Sequence, residues 1–279
     1  MTPRKRKTSD PVAAREIVVL KIGGSVASAS RAGAPSPESD ASVAAVASLH
    51  EAGRPLVVVH GGGPLIGEWS ERLGLPTRFL RGLRVTDEAT RDVALAVLGG
   101  LANKTLVAAL LARGVPAVGL SGVDGGMLRA EREDPDLGLV GRVTMVDSSL
   151  LEDLVAGGRV PVVAPAAIGP EGEVLNVNGD TVAGAIAASV GGRLLAFVTD
   201  VPGVRGPDGR VVPSLDRESS KALMDDGTIQ GGMLPKIEAC LIAAAAGCDA
   251  AILSAQDADA VERVLAGERV GTVFPAEAA

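Results

Sequence analysis

The chain has 279 residues with 34 acidic and 27 basic side chains, a net charge of −7, and that balance disfavours a polyanionic partner. Three Phe, one Trp and no Tyr are too few for a base-stacking nucleic-acid surface. The two cysteines form no ligand cluster, no secretory signal is read, and apolar runs break before the roughly 20 residues of a membrane helix, so the expectation is a cytoplasmic protein without a protein-held metal or a membrane partner.

Residues 1–16 open with the polar, basic run Met1–Asp10 and are expected to form a flexible tail. Ile17–Ile22 (IVVLKI) reads as a buried strand and Gly23-Gly24-Ser25 as its exit turn. A lysine at the end of such a strand is costly unless it is paired or faces a ligand, so Lys21 is read as a phosphate contact. Ala27–Asp40, rich in Ser, Ala and Pro, reads as a loop. Ser42–Ala52 reads as a helix stopped by Gly53, Leu56–His60 as a second strand and Leu65–Leu73 as the next helix. Between these last two lies His60-Gly61-Gly62-Gly63-Pro64. Three consecutive glycines strip every Cβ from the turn, so backbone N–H groups can approach an anion, and the helix beyond adds its positive end. The alternation of strands and helices predicts a parallel sheet with right-handed crossovers. Two familiar phosphate motifs fail. The G-x-G-x-x-G fingerprint needs glycine where Ile66 stands, and a P-loop needs glycine before Lys104-Thr105, where Asn103 stands.

Thr77–Thr86 (TRFLRGLRVT) reads as one strand with Gly82 and Arg84 on one face and Phe79 and Leu83 on the other. Arg84 is the candidate to clamp a carboxylate bidentately; Arg78, Arg81 and Arg91 read as solvated. Helices are expected over Asp87–Leu98, Asn103–Arg113 and Leu150–Ala156. Strands are expected over Val115–Leu120, Leu139–Val146 (an edge or hairpin strand) and Val160–Ala164. In Val174–Thr181 the residues Asn176, Asn178 and Asp180 alternate ahead of the small-residue helix Val182–Val190. On a strand that spacing puts three polar side chains on one face, and helix capping explains only one of them. Leu194–Val198 is a further strand, Gly206–Gly209 a hairpin turn, and Glu218–Asp226 a helix. Gly227–Lys236 is a second glycine-rich loop ending on a lysine. Ile237–Ala246 and Ala258–Ala266 close the helix set, and Ala250–Leu253 and Gly271–Phe274 the strand set. The division falls after residue 190, giving two lobes, 17–190 and 191–279, that share one sheet.

Lys21, Gly24, Gly62, Gly63, Arg84, Asn176, Asn178, Asp180 and Asp200 all fall at or just beyond a strand end or strand–helix junction, where open α/β sheets bind ligands. With Lys236 they suit phosphoryl transfer between anions, which needs positioning and charge neutralisation above all. A carboxylate acceptor, with a free pKa near ~4.3, is already ionised and needs no general base. That fits a chain with two histidines.

The segments Lys21–Gly24, His60–Pro64, Gly82–Asp87 (GLRVTD), Asn103-Lys104, Val118–Gly122, Asn176–Thr181, Thr199–Val204 and Gly231–Lys236 (GGMLPK) together resemble the acetylglutamate kinases of the amino-acid kinase family. The likeness runs in order from about Val18 to Phe274. It implies an α/β fold, a three-layer αβα sandwich around a mainly parallel eight-stranded sheet, and ATP-dependent phosphorylation of the γ-carboxylate of N-acetyl-L-glutamate in arginine biosynthesis. It implies that Lys21 and Lys236 stabilise the transition state, that Gly24 and Gly62 donate N–H groups to the phosphoryl, and that Asp180 orients the lysines. Gly62, Gly63, Arg84, Asn176 and Asn178 would hold the acetylated amino acid in the first lobe. Asp200, Val201, Pro202, Gly203, Val204, Arg205, Thr228, Ile229 and Gln230 would line the ATP pocket in the second, with Mg2+ held mainly by the ATP phosphates. Arginine-inhibited members carry an extra N-terminal helix, which the sixteen residues before the first strand do not match, so a homodimer is expected. A sister kinase acting on carrier-linked aminoadipate or glutamate remains an alternative, although GLRVTD favours the free substrate. A non-catalytic sensor on the same fold is disfavoured by Lys21, Asp180 and Lys236. Gly179 departs from the alanine common in the family.

Overall fold

The computed structural model describes residues 16–23 and 37–277. Residues 1–15 of the expected tail, Gly24 and residues 27–36 of the expected loop lie outside them. In chain order the elements are β1 (Val18–Ile22), α1 (Pro37–Glu51), β2 (Leu56–His60), α2 (Gly63–Arg72), β3 (Phe79–Leu80), β4 (Leu83–Arg84) and α3 (Glu88–Leu95). A π-helical stretch (Ala96–Ala102) then leads into α4 (Asn103–Leu111), β5 (Ala117–Ser121), β6 (Leu128–Arg132), β7 (Val140–Val146), α5 (Ser149–Ala156), β8 (Val160–Ala164), β9 (Ala166–Ile168) and β10 (Val174–Val177). The remainder is α6 (Gly179–Ser189), β11 (Leu194–Thr199), α7 (Arg217–Asp225), α8 (Met233–Ala245), β12 (Asp249–Ser254), α9 (Ala260–Leu265) and β13 (Thr272–Phe274).

The main sheet runs β13-β12-β11-β1-β2-β8-β5, parallel except for the edge strand β13. β1, β2 and β8 are buried along their whole length, the condition under which continuous Val/Leu runs form strands. Helices cover both faces. Val19, Val57, Leu195 and Ile252 pack with α6 and α8 on one side. Val18, Leu20, Val58 and Ala251 pack with α1, α4 and α9 on the other. Strands built before residue 190 extend to one side of β1, and β11 to β13 extend to the other. The order therefore reverses between β1 and β11, and the crevice at their C-terminal ends is where such sheets take ligands.

Several expectations need correction. The sheet has seven strands among the described residues, not eight, because β7 joins β10, β6 and β9 in a separate four-stranded closed barrel. Of these, β6 (LRAER) is half solvent-facing and β9 has three residues, so neither has the apolar length that marks a central strand. Pro37–Asp40, expected as loop, is the first turn of α1. The helices expected over 87–98 and 103–113 are one continuous helix, Glu88–Leu111. Its π stretch carries Gly99-Gly100 without a break. By length and apolarity alone this 24-residue helix meets the requirement for a membrane span, a length the sequence reading excluded. Val93, Val97, Leu98, Ala102, Leu106 and Leu110 on it are buried against the rest of the protein, while Leu101 and Leu111 are exposed.

Thr77–Thr86 is a hairpin, not a single strand. Arg81 (φ 51°) and Gly82 (φ 80°) both take positive φ, as a two-residue type I′ turn requires. The turn makes Phe79 the cross-strand partner of Arg84, so the two share the face that a single strand would have separated. The hairpin is tied down by Thr86, whose N–H donates to Leu137 O and whose carbonyl accepts from Leu139 N–H. Arg81 also pairs with Asp134.

Candidate active site

Lys21 stands at the C-terminal end of β1, between Phe197 and Val59 on the neighbouring strands. Asp180 lies in the first turn of α6 and Lys236 in the first turn of α8. Lys21 Nζ is 2.5 Å from Asp180 Oδ1, and Lys236 Nζ donates to Asp180 Oδ2 at 2.8 Å. One carboxylate thus holds two ammonium groups, one on each oxygen. Oδ1 is buried and accepts no hydrogen bond of good geometry, so its link to Lys21 is a charge contact. Asp180 is 5% exposed and Lys21 8%, a depth at which an unpaired charge is strongly disfavoured.

The electrostatics follow from that burial. Desolvation lowers the Lys21 ammonium from its ordinary value; the attraction of Asp180 opposes this and the Lys236 charge adds to it. Burial by itself pushes the Asp180 carboxyl up, but Lys21 and Lys236 together hold it below the usual carboxylate value. The net result is an ionised aspartate facing two cations of like sign, which repel each other unless an anion comes between them.

Beside this triad opens a cavity of about 580 Å³, lined by Gly62, Gly63, Arg84, Asn176 and Asn178 among others. Three separated sequence segments, 61–67, 77–84 and 176–179, therefore meet at one hollow. Its apolar wall includes Ile66, Leu83, Leu98, Pro165 and Val177. Arg84 Nη2 donates to Gly63 O at 2.9 Å and Nη1 to Thr77 Oγ1 at 3.3 Å. Its guanidinium carbon lies 4.9 Å from the centroid of the Phe79 ring, a cation–π contact. Among the described residues no carboxylate contacts Arg84. Asn176 Nδ2 donates to Thr86 Oγ1 at 3.2 Å. The glycine turn follows β2: Gly61 N–H donates to Ile22 O, and Gly62 O accepts the first bond of α2 from Ile66 N–H. Among the described residues no backbone partner takes the N–H of Gly62 or Gly63.

Two sequence-based details change. Asp180 is not on a strand: β10 ends at Val177, and only Asn176 of the alternating trio is a strand residue. Asn178 is the N-cap of α6, its Oδ1 accepting from Asp180 N–H (2.8 Å) and Thr181 N–H (3.2 Å). The chain turns from strand to helix within two residues, and that turn aims Asp180 at the lysines. Lys236 likewise belongs to α8 and not to the loop before it, because α8 begins at Met233.

The nine residues expected around a nucleotide lie on two loops, one after β11 and one before α8, and they line neither the cavity above nor its neighbour of about 380 Å³ at Lys236. Val204 and Ile229 are buried in the core, with the Val204 N–H donating to Thr272 Oγ1 and the Ile229 N–H to Leu223 O. Thr199 Oγ1 donates to Asp200 Oδ1, Arg205 Nη1 to Gly209 O, and Thr228 N–H to Asp226 Oδ1. Gln230 Nε2 donates to Gly227 O. Sequence reading missed Phe79 and Thr86, which set Arg84 and Asn176; the signal for Phe79 was the Arg-Gly turn that folds it back.

Gly179 opens α6 against Lys21. A Cβ there would stand 3.4 Å from His60 O, 3.6 Å from Pro165 Cγ and 3.7 Å from Lys21 Cε, all ordinary contacts. Gly179→Ala is therefore expected to stabilise the protein by about 0.4–1 kcal/mol through reduced unfolded-state entropy. A urea titration checks it; a lowered midpoint would mean that the turn needs the glycine.

The fold and the site define a member of the amino acid kinase family: the chain belongs to that family, whose sequence model matches residues 16–254. Its relatives narrow the class further. Acetylglutamate kinase of Geobacillus kaustophilus is 47% identical over 227 residues, 81% of this chain and 84% of the relative. Acetylglutamate kinase of Dehalococcoides mccartyi is 39% identical over 264 residues, 92% and 94% of the two chains. Among solved structures, smu.665 from Streptococcus mutans superposes with a TM-score of 0.77 at 28% identity, over 94% of this chain and 99% of that one.

Proposed function

We propose that this protein transfers the γ-phosphoryl of ATP to the γ-carboxylate of N-acetyl-L-glutamate, giving N-acetyl-L-glutamyl 5-phosphate in the second step of arginine biosynthesis. The observation that carries this is the Asp180 carboxylate bridging two ammonium groups beside an arginine-bearing cavity. The relatives named acetylglutamate kinase supply the substrate.

The cavity takes the amino acid with its α-carboxylate on Arg84, its amide by Asn176, and its γ-carboxylate at the glycine turn. A γ-carboxylate oxygen attacks the γ-phosphorus as the bond to the β–γ bridging oxygen breaks, and ADP leaves. No proton moves, so no general base is required. Charge is the obstacle. Lys21 and Lys236 offset the repulsion between the two anions, Asp180 keeps both ammoniums in place, and Gly24 and Gly62 are the N–H donors to the phosphoryl. The loops over 200–205 and 228–230 hold ATP in the second lobe, 191–279, with the amino acid in the first, 17–190. Both Asp180 oxygens face ammoniums, so Mg2+ would sit mainly on the ATP phosphates, where it supplies further charge neutralisation. The enzyme works in the cytoplasm as a homodimer; light scattering at twice 28.0 kDa is the expected result.

A coupled ADP-release assay with hydroxylamine trapping of the acyl phosphate tests the reaction, run on acetylglutamate, N-acetyl-α-aminoadipate, glutamate, aspartate and carbamate. Turnover confined to acetylglutamate is expected, and faster turnover on any other acceptor overturns the assignment. Arg84→Ala is expected to raise the KM for acetylglutamate roughly tenfold to hundredfold, since hydrogen bonds to charged groups contribute ~1.5–3 kcal/mol. An equal rise in the KM for ATP would place Arg84 at the nucleotide instead.

A further inference from the structure

Behind the glycine turn lies a polar cluster that the chemistry above does not use. His60 is 2% exposed and Asn103 is fully buried. Asn103 Nδ2 lies 2.9 Å from Val162 O, 3.3 Å from Leu120 O and 3.1 Å from His60 Nε2. Its Oδ1 accepts from Lys104 Nζ at 3.0 Å, and Lys104 Nζ also donates to Gly119 O at 3.1 Å. Two carbonyls on one side and an ammonium on the other fix which way the amide points: nitrogen toward the carbonyls and the histidine. The close approach depends on Gly119, where a Cβ would fall 2.0 Å from Asn103 Oδ1.

The amide orientation decides the state of the ring. The amide has two hydrogens for three neighbours, and the two shorter contacts, Val162 O and His60 Nε2, take them; Nε2 is then the unprotonated nitrogen and the proton sits on Nδ1. Nδ1 lies 2.9 Å from Gly61 O, and Nδ1–H donates to it. The Gly61 peptide is thereby engaged at both ends, its N–H on Ile22 O and its carbonyl on His60. That carbonyl belongs to the same peptide plane as the Gly62 N–H, so holding one aims the other.

We propose that His60 and Asn103 are a positioning pair: Asn103 holds His60 as its neutral Nδ1–H tautomer, and His60 locks the Gly61–Gly62 peptide so that the Gly62 N–H faces the reacting oxygens. Neither residue touches substrate. The effect on turnover rests on the kinase reading above; the tautomer does not.

The first test uses the unmodified protein. The chain has two histidines, His50 and His60, so nitrogen-15 NMR of histidine-labelled enzyme resolves the ring directly. Protonated Nδ1 with unprotonated Nε2 at His60 is expected, and the reverse tautomer overturns the proposal. The second test separates the two ring nitrogens. His60→Asn places an amide near the Nδ1 position and keeps a donor for Gly61 O. His60→Gln reaches the Nε2 position and keeps Asn103 occupied but leaves Gly61 O unpartnered. His60→Asn is expected to retain kcat within about fivefold, while His60→Gln loses tenfold or more, a loss of the size expected when an oxyanion donor is misaimed. The KM for ATP is expected to stay within twofold in both. A pair that served only to fill the core would show equal losses or the reverse order, and either result refutes the positioning role. Failure of the kinase reading is visible separately, as absence of acyl phosphate from the unmodified enzyme.

Discussion

Lys236→Ala and Lys21→Ala are each expected to lower kcat by about a hundredfold or more while the KM of both substrates changes only a few fold. The expectation follows from where the charges sit. Both ammoniums are already held by Asp180 before substrate arrives, so neither pays to be oriented when charge builds between carboxylate and phosphoryl. Their attraction grows as the two anions close, and that growth appears in kcat more than in binding. Lys21 is the deeper of the two, and its alanine variant also leaves Asp180 with a single partner. Lys21→Met keeps the volume and separates charge from packing: it should share the kcat loss and keep more of the stability. Steady-state kinetics decide the matter, and a kcat near that of the unmodified enzyme would take the substituted lysine out of the reaction.

Asp180→Ala is expected to be the most damaging single change, lowering kcat at least as far and destabilising the fold by about 3–5 kcal/mol, the usual effect of leaving a buried charge without its partner. Two ammoniums would then face each other with no carboxylate between them. The pH dependence has a definite sign. Asp180 is lowered in the fold, so its contribution to stability is full above the ordinary carboxylate range and is lost as pH falls through the lowered folded value. Lys21 is also lowered, which for a cation means that the fold favours the discharged form and gains stability as pH rises toward the free lysine value. Without Asp180 the Lys21 ammonium falls further and that alkaline gain widens. Urea unfolding from neutrality to about pH 10 should show the gap between the two proteins narrowing, since free lysine titrates near ~10.4. A gap that stays constant across the range would mean that Lys21 is not the group left uncompensated.

Much of the site was legible because the relevant residues break their local pattern. Lys21 ends a strand that is otherwise Ile, Val and Leu, and a charge there has few explanations other than a partner or a ligand. The triple glycine after β2 was legible for the opposite reason, the absence of side chains where a strand meets a helix. Arg84 stood out through its surroundings, but its setting did not. A strand reading put Phe79 on the far face, and the Arg81–Gly82 turn brings it under the guanidinium.

The linear chain, by itself, determined the family, the central strands and the cast of charged residues, because strands buried on both faces carry their signal in consecutive apolar residues. Only the tertiary structure decided the barrel, whose closure joins two local strand pairs across a large sequence gap, as Val140 pairs with Asn176. Only it set Asp180 between two lysines, one of them 56 residues away, and placed Asn103 against a histidine 43 residues earlier. Those contacts come from the order of strands and the start points of α6 and α8. The physical reason is that local pattern reports which face a residue presents, whereas the partner waiting on that face is chosen by packing among distant segments.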